Sequence, residues 1–254
     1  MCELFAVNAA RSVDVGVLLK EFYSHSVEHP HGWGLAWHEA DGGAVLVKEP
    51  VAAHESARLA NMLQGPVVHR QAVAHIRRAT HGNLAYENSH PFVGQDASGV
   101  TWVMAHNGAL LDESLTAPYR TAGRGETDSE RVLLYLLERI ERATERKGAP
   151  LACEERFDTL SGAMGSLSIG NMVNLILDDG ECTYIHTNTT EASLFVKFTD
   201  DAALFSTRPL GDGQGWMPTR QRCLVAYRNG RPVMCSGQHC NCVCYESLRR
   251  LLAS

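Results

Sequence analysis

Two tight-turn signals constrain most strongly what this chain can fold into. Asp179-Gly180 and Asn229-Gly230 each lie between two short runs of branched and aromatic residues. Such Asx-Gly pairs favour turns with positive φ, and those turns join neighbouring antiparallel strands. The sequence therefore predicts largely antiparallel sheets. These hairpin signals, together with the lack of any Gly-x-Gly-x-x-Gly, disfavour a TIM barrel and a dinucleotide-binding fold.

Periodicity along the chain predicts the individual elements. Runs rich in β-branched or aromatic residues predict strands at 4–7, 44–48, 67–76, 100–106, 172–177, 183–186, 194–198 and 204–207. Helical spacing of apolar residues predicts helices at 15–23, 55–64, 129–146 and 245–252. The third is the clearest, because Thr127-Asp128-Ser129-Glu130 has the form of a capping box. No linker-like stretch interrupts these elements, so we expect a single domain over residues 2–254 with Met1 removed.

Composition disfavours several classes of protein. Of the 254 residues, 44% are hydrophobic and 20% are charged, and 23 Lys+Arg oppose 29 Asp+Glu for a formal net charge of −6. Such a chain forms an ordered core, and its acidic balance argues against a nucleic-acid or anionic-membrane binder. The sequence has no long apolar segment and no signal peptide. We therefore expect a cytoplasmic protein with a small-molecule partner, open to homo-oligomer formation, whose eight cysteines are mostly reduced.

Cys2 is the first candidate for chemistry. Removal of Met1 would leave a residue that carries both a thiol and a free α-amine. An α-amine has an ordinary pKa of about 7.7 to 8.0, which suits a general base near neutral pH, and an N-terminal nucleophile can be activated by its own amine. The alternative is an incidental cysteine at the start of a strand.

Three further segments offer complementary groups at strand or helix ends. Arg77 closes an apolar strand and can hold a carboxylate with two parallel hydrogen bonds, unless it forms a surface pair with Arg78. Asn107-Gly108 can donate two hydrogen bonds to an oxyanion, although Asn-Gly is equally a turn signal. Asp128, in a first helical turn, can receive an ammonium or simply favour the helix dipole. With Cys2, these groups match an α-amino acid headgroup whose γ-amide lies at the sulfur.

An ordered set of motifs covers the first half of the chain. It consists of Met1-Cys2-Glu3-Leu4, Gly32-Trp33-Gly34-Leu35, His75-Ile76-Arg77, Glu87-Asn88-Ser89-His90-Pro91-Phe92, Ala105-His106-Asn107-Gly108 and Gly125-Glu126-Thr127-Asp128-Ser129-Glu130. In order and spacing this set resembles the class II glutamine amidotransferases, a family of N-terminal nucleophile (Ntn) hydrolases, and most closely their stand-alone YafJ-like type. The resemblance implies an α+β fold, a four-layer αββα sandwich with two antiparallel sheets, and it implies no cofactor.

The resemblance also implies a mechanism and a role for each matching residue. Cys2 attacks the γ-carbonyl of glutamine or of a γ-glutamyl amide, ammonia or an amine leaves, and water releases glutamate from a γ-glutamyl thioester. The other implied roles are the oxyanion hole (Asn107, Gly108), the α-carboxylate site (Arg77), the α-ammonium site (Asp128) and the border of the pocket (Thr80, His81).

Two features distinguish this chain from synthase-linked relatives. It has Arg78 where several of them have Trp in a mobile loop over the glutamine site, and, because the sequence ends at Ser254, we expect no synthase domain after the glutaminase domain. Ammonia would then pass to a separate synthase subunit, or the protein would act alone on a γ-glutamyl thiol metabolite, as relatives in ergothioneine biosynthesis and glutathione degradation do. A catalytically silent binding or regulatory protein with the Ntn fold is the remaining alternative.

Two groups of residues suggest metal sites. Four cysteines lie close together near the C-terminus, at Cys235, Cys240, Cys242 and Cys244. Zinc takes four thiolates, but Cys-x-Cys-x-Cys lacks the usual paired knuckles and equally fits small buried side chains on one strand face. Three histidines lie around Pro30, at His25, His29 and His31, and we expect them to be solvated loop residues. We therefore predict no metal, with the four cysteines as the alternative site.

Overall fold

Thirteen strands and four α-helices form the part of the chain that the computed structural model describes, residues 2–79 and 82–244. The strands are β1 (Glu3–Asp14), β2 (Trp33–His38), β3 (Ala44–Glu49), β4 (Val68–Ile76), β5 (Phe92–Gln95), β6 (Thr101–His106), β7 (Leu175–Asp178), β8 (Thr183–His186), β9 (Phe195–Phe198), β10 (Ala202–Ser206), β11 (Trp216–Pro218), β12 (Leu224–Arg228) and β13 (Arg231–Cys235). The helices are α1 (Gly16–Ser24), α2 (Ala57–Met62), α3 (Asp128–Lys147) and α4 (Cys153–Leu167).

The strands form two sheets, and every strand pair is antiparallel, as the turn signals predict. The first sheet has seven strands in the order β11-β9-β10-β1-β4-β2-β3, and the second has six in the order β13-β12-β8-β7-β6-β5. The N-terminal strand β1 thus lies at the centre of the first sheet, between β10 and β4. This placement fixes the residue before β1 between two neighbouring strands.

Three apolar cores separate four layers. Phe5 and Val7 pack on one side of the first sheet with α1 and α2. Leu4 and Ala6 point to the opposite side, where the first sheet meets the second. The outer face of the second sheet packs against α3 and α4, with Leu136 among the contacts. Because successive strand residues point to opposite faces, β1 serves two cores at once, and the expected four-layer αββα sandwich is confirmed.

The two predicted hairpin turns are held in different ways. Asn229 and Gly230 have φ values of 53° and 74°, as a two-residue loop between β12 and β13 requires. The turn between β7 and β8 is longer, since Asp178 pairs with Thr183. There the Asp179 carboxylate accepts hydrogen bonds from two backbone N–H groups, those of Glu181 and Cys182, at 2.9 and 2.7 Å. A longer turn stabilised by the Asp179 side chain thus replaces the two-residue loop expected at this position.

Several elements depart from the sequence prediction. Helix α4 was not predicted, because Gly162 and Gly165 interrupt its otherwise helical spacing of buried residues. The strands β2, β5 and β11 were not predicted either. Helix α2 begins after Ser56, whose Oγ accepts from Leu59 N at 3.0 Å, and is shorter than expected. The helix predicted at 245–252 lies outside the described residues. Within the described part of the chain, no helix is both long and apolar enough to cross a membrane.

The start of α3 contains half of the predicted capping box. Thr127 Oγ1 accepts a hydrogen bond from Glu130 N at 3.4 Å. The Glu130 carboxylate does not return to Thr127; it accepts from the N–H groups of Arg124 and Gly125, at 3.0 and 2.7 Å. Glu130 therefore fixes the loop that leads into α3, and this loop presents Asp128 at the first helical position.

Candidate active site

Cys2 immediately precedes β1, and the start of β1 lies beside the C-terminal end of β4. Glu3 pairs with Ile76, so Cys2 comes next to Arg77 where both strands end. The backbone N–H of Arg78 donates to Cys2 Sγ at 3.4 Å. Burial raises the pKa of the Cys2 thiol above its ordinary value, although the Arg78 hydrogen bond and the Arg77 charge act in the opposite direction. The thiol is therefore protonated near neutral pH and needs a base to become a nucleophile.

Arg77 is buried, and its guanidinium is fixed by the loop that follows β4. Nη1 donates to the carbonyl of Asn83 at 3.0 Å, and Nη2 donates to the carbonyl of Gly82 at 3.4 Å. Asn88 joins this loop to the one before α3, because its Nδ2 donates to Asn83 O at 3.1 Å and its Oδ1 accepts from Glu126 N at 2.8 Å. The two loops and the guanidinium therefore form one hydrogen-bonded unit.

Asn107 and Gly108 follow β6 on the second sheet. Asn174 fixes the Asn107 backbone through two hydrogen bonds. The Asn107 N–H donates to the Asn174 carbonyl at 2.8 Å, and the Asn174 side-chain Nδ2 donates to the Asn107 carbonyl at 3.2 Å. Within residues 2–79 and 82–244, the Asn107 amide and the Gly108 N–H donate to no protein acceptor. A Cβ on Gly108 would lie 2.1 Å from Met172 O, so the close packing excludes any side chain there. Two donors are thus available at this strand end.

Asp128 is fixed beside the segment that follows Gly108, and its charge reaches Cys2. Its Oδ2 accepts from the backbone N–H of Leu110 at 3.1 Å, which fixes α3 against the segment that follows Gly108. The Asp128 charge also acts on Cys2, since it raises the pKa of the thiol. The tertiary structure thus brings Cys2, Arg77 and Asp128 together, although they come from three different parts of the sequence.

His106 is a residue of this site that sequence reasoning did not select. Its Nδ1 lies 3.0 Å from Ser129 Oγ, and its ring lies directly under Gly108, where a Cβ would be 2.2 Å from Nε2. Burial lowers the pKa of His106, so the ring is neutral. The signal in the sequence was a histidine in an otherwise apolar strand, immediately before Asn107-Gly108.

Two more buried histidines support the same region. The rings of His75 and His90 lie 4.1 Å apart, and burial lowers the pKa of each well below its ordinary value. His90 Nδ1 accepts from His106 N at 3.4 Å. The neutral imidazoles of His75, His90 and His106 therefore pack together next to the candidate site.

The expectation that the histidines around Pro30 are solvated loop residues is wrong for His25 and His29. His29 is 4% exposed, and His25 Nδ1 lies 2.8 Å from Glu3 Oε2. The Nδ1 of His31 accepts from Ala79 N at 2.9 Å, which fixes the start of the loop after β4. A buried carboxylate on β1, which periodicity does not reveal, holds the first two histidines in place.

The alternative metal site receives no support from the geometry. Among the described residues, no group of three or more His, Cys, Asp or Glu side chains is placed to hold a metal ion. Cys235 lies near Cys223, at an Sγ–Sγ distance of 4.0 Å, and Cys240 and Cys242 are exposed. Two other predicted site residues, Thr80 and His81, lie outside the described residues.

Comparison with known proteins identifies the family of this chain. Residues 1–199 match the family described as class II glutamine amidotransferases. An uncharacterized protein of Methanocaldococcus jannaschii is 34% identical over 190 residues, which cover 73% of this chain and 50% of that protein, so the chain spans half of this relative. YafJ of Escherichia coli K12 is 30% identical over 195 residues, which cover 74% of each protein.

Solved structures share the fold. A predicted glutamine amidotransferase from Pseudomonas aeruginosa superposes with a TM-score of 0.62 at 21% identity, over 92% of this chain and 100% of that one. Glutamine phosphoribosylpyrophosphate amidotransferase from B. subtilis gives a TM-score of 0.68 at 15% identity, over 92% of this chain and 49% of that one. The sandwich is thus the Ntn-hydrolase sandwich, and the family match includes every motif from Cys2 to Asp128. The chain belongs to the class II glutamine amidotransferase family.

Proposed function

We propose that residues 2–254 form one glutaminase-type domain in which Cys2, made N-terminal by loss of Met1, hydrolyses the γ-amide of glutamine or of a γ-glutamyl compound. The observation that carries this proposal is that Cys2 and Arg77 lie next to each other where the paired strands β1 and β4 end, with Asp128 near enough for its charge to act on the Cys2 thiol. A guanidinium and a carboxylate near a nucleophile complement the carboxylate and ammonium of a glutamyl headgroup.

The first half-reaction follows from the groups present. The α-amine of Cys2 accepts the thiol proton, and Sγ bonds to the γ-carbonyl carbon of the substrate. The carbonyl oxygen becomes an oxyanion, which the Asn107 amide and the Gly108 N–H stabilise. As the tetrahedral intermediate collapses, the C–N bond breaks, and the ammonium form of the Cys2 amine returns its proton to the leaving ammonia or amine.

The second half-reaction consumes the thioester. The free α-amine takes a proton from water, and the resulting hydroxide bonds to the thioester carbon. The C–S bond then breaks, the sulfur regains a proton from the amine, and glutamate leaves. Because Arg77 and Asp128 hold the headgroup through both steps, they lower the entropic cost of each attack.

The decisive experiment combines mass measurement with turnover. Intact mass establishes whether Met1 is absent, and glutamate release is assayed on glutamine, on γ-glutamyl methylamide and on γ-glutamyl-cysteine. We expect Cys2→Ala to lower turnover by at least about 10³-fold, while Cys240→Ala, which changes an exposed cysteine of the tail, leaves it unchanged. Unchanged turnover by Cys2→Ala, or retention of Met1 in the active protein, would refute the proposal.

The same substrate panel separates the two branches of this function. Turnover of glutamine at a rate similar to that of the γ-glutamyl compounds supports ammonia donation to a separate synthase subunit. A preference of about 100-fold or more for γ-glutamyl-cysteine supports a stand-alone γ-glutamyl hydrolase of a thiol metabolite. Absence of turnover on every substrate supports a silent binding or regulatory protein.

A further inference from the structure

Cys223 and Cys235 form a pair of thiols at one edge of the second sheet. Cys223 immediately precedes β12, and Cys235 is the last residue of β13. Cys235 pairs with Val225, two residues beyond Cys223, so the two cysteine side chains lie on the same face of the hairpin. Their Sγ atoms are 4.0 Å apart. A closing movement of about 2 Å would bring these atoms to the length of a disulfide bond.

The two thiols have different surroundings. Cys235 is exposed, whereas Cys223 is buried, with an exposed fraction of 1%. Burial, followed by the charge of Cys235, raises the pKa of Cys223 to about 11, so this thiol is protonated near neutral pH. An oxidant in solution therefore reaches Cys235 first, and Cys223 is held next to it as a second thiol.

A cation lies beside the exposed thiol. Arg220 Nη1 donates to Cys235 Sγ at 3.5 Å, and the charge of Arg220 also acts on Cys223, whose pKa it lowers against the effect of burial. Across the described ranges, 2–79 and 82–244, no carboxylate forms an ion pair with this guanidinium. A positive charge next to a sulfur favours the thiolate, which is the form that attacks an oxidant. The setting of Cys235 is therefore that of a reactive cysteine.

Four other cysteines provide a comparison, and each lacks one of these features. Cys240 and Cys242 are exposed, but in the part of the chain that the structure describes neither sulfur contacts a cation or a second thiol. Cys153 and Cys182 have Sγ atoms 3.2 Å apart, but both are buried. Burial raises the pKa of Cys182, and the Cys153 hydrogen bond and the Asp179 carboxylate raise it further. Distance alone would favour this buried pair, whereas access and charge favour Cys235.

We propose that Cys235, beside the Arg220 cation, is a site of reversible oxidation by hydroperoxides, and that Cys223 resolves the oxidised sulfur into a disulfide. The Cys235 thiolate attacks the terminal oxygen of the hydroperoxide, so that an S–O bond forms and the O–O bond breaks. The leaving alkoxide or hydroxide takes a proton from water. The sulfur is thereby oxidised by two electrons to a sulfenic acid, and the peroxide is reduced by two.

The second step forms the disulfide. Cys223 Sγ bonds to Cys235 Sγ, the S–O bond breaks, and the Cys223 proton leaves with the hydroxyl group as water. The new bond joins the two ends of the β12–β13 hairpin. It also stops the oxidation of Cys235 before the irreversible sulfinic acid, so a thiol reductant restores the original protein.

This site goes beyond the proposed function and does not depend on it. β13 is an edge strand of the second sheet, and β12, β8 and β7 separate it from β6, the strand that precedes Asn107 and Gly108. Neither Cys223 nor Cys235 belongs to the candidate active site. Loss of glutamate release and loss of this oxidation are therefore separate results.

Peptide mass spectrometry after graded oxidation tests the site. The reduced protein is treated with equimolar hydrogen peroxide or cumene hydroperoxide, the remaining thiols are blocked with N-ethylmaleimide, and trypsin is added without reductant. Cleavage after Arg228 places Cys223 and Cys235 on separate peptides, and fragment spectra distinguish Cys235 from the later cysteines. We expect a link between Cys223 and Cys235 to be the predominant disulfide, and dithiothreitol to remove it.

Three variants separate the roles, and a fourth is the matched control. Cys235→Ser abolishes the link, and Cys223→Ala leaves Cys235 as a sulfenic acid that dimedone traps. Arg220→Gln slows the oxidation of Cys235 by about threefold or more, because the sulfur loses its cation. The control is Arg228→Gln, which removes an arginine at the other end of β12, where Nη1 donates to Glu181 Oε1 at 3.0 Å. We expect this control to be oxidised at the wild-type rate.

Four results would overturn the inference. They are oxidation of Cys240 at the same rate as Cys235, a predominant link between Cys153 and Cys182, covalent dimers joined through Cys235, and the absence of any disulfide. An unchanged oxidation rate in Arg220→Gln would equally count against it. If Cys223→Ala does not fold, the wild-type link and the Arg220→Gln rate still decide the matter.

Discussion

The carboxylate of Asp128 accepts the backbone N–H of Leu110, with an Oδ2–N distance of 3.1 Å. This hydrogen bond fixes the first turn of α3 to the segment that follows Asn107 and Gly108. The other oxygen, Oδ1, accepts a longer bond of 3.3 Å from Ser129 Oγ. The proposed ammonium site and the proposed oxyanion site are therefore parts of one rigid unit, and Oδ1 is the oxygen more readily given to a ligand.

Asp128→Asn tests the ammonium site without removing the Leu110 contact. The asparagine oxygen can still accept the N–H of Leu110, but the negative charge is lost. We expect KM for glutamine to rise by about 10- to 100-fold, while the melting temperature stays close to that of the wild type. Because the Asp128 charge raises the pKa of the Cys2 thiol, alkylation of Cys2 by iodoacetamide will also begin at lower pH in the variant. A normal KM would remove Asp128 from the ammonium site.

Arg77→Lys tests the carboxylate site. A lysine ammonium is a point charge and does not reproduce the paired donors of a guanidinium, so KM for glutamine rises by about 10- to 100-fold with a smaller effect on kcat. The neighbouring Arg78→Lys is the matched control, because Arg78 is exposed and contacts Cys2 through its backbone. Steady-state kinetics of both variants decide the matter. Equal KM values for Arg77→Lys and the wild type would show that Arg77 does not hold the carboxylate.

Gly108→Ala tests whether catalysis requires the closely packed backbone at Gly108, just after β6. A Cβ there would lie 2.1 Å from Met172 O, so the backbone must move and the Gly108 N–H leaves its position. We expect kcat to fall by about 10²-fold or more and unfolding to become easier by a few kcal/mol, to order of magnitude. Gly162→Ala in α4 is the control, since nothing lies within 4 Å of the added Cβ. If the Gly108 variant keeps wild-type kcat, its N–H is not part of an oxyanion hole.

Lys48 makes stability depend on pH in a defined direction. Its side chain is buried, Nζ donates to Ser89 O at 2.6 Å, and burial lowers its pKa from 10.5 to about 8. Between pH 8 and 10.5 the unfolded chain holds a proton that the folded chain has released, so the free energy of unfolding rises with pH in this window. From pH 7 to 9.5 the gain relative to Lys48→Met is on the order of 2 kcal/mol.

Urea unfolding of wild type and Lys48→Met at the two pH values measures this difference. The variant serves as the internal control, because every other group titrates in both proteins. A constant difference between them across the range would mean that Lys48 keeps an ordinary pKa in the folded protein.

Local signals in the sequence were sufficient to predict antiparallel sheets, whereas the four-layer sandwich was expected from the family resemblance. The turn at Asn229-Gly230 and the strand periodicity predicted antiparallel sheets, since positive φ and two-residue alternation are properties of a few neighbouring residues. Strand β2 escaped prediction because Gly34 interrupts it. The reason for that glycine is tertiary: a Cβ there would lie 2.2 Å from His90 O, which is distant in the sequence.

By itself the sequence determined which chemical groups this protein carries and which of them end a strand or begin a helix, because these are covalent or local properties. It predicted Arg77, Asn107, Gly108 and Asp128 as partners of Cys2, and their roles stay predictions. Only the tertiary structure decided that Arg77 and Asp128 converge on Cys2, that Glu3 is buried beside a half-exposed Arg208, and that Cys235 lies near Cys223. The physical reason is that these relationships depend on strand order and sheet packing, which no local pattern specifies; Glu3 and Arg208, for example, are 205 positions apart.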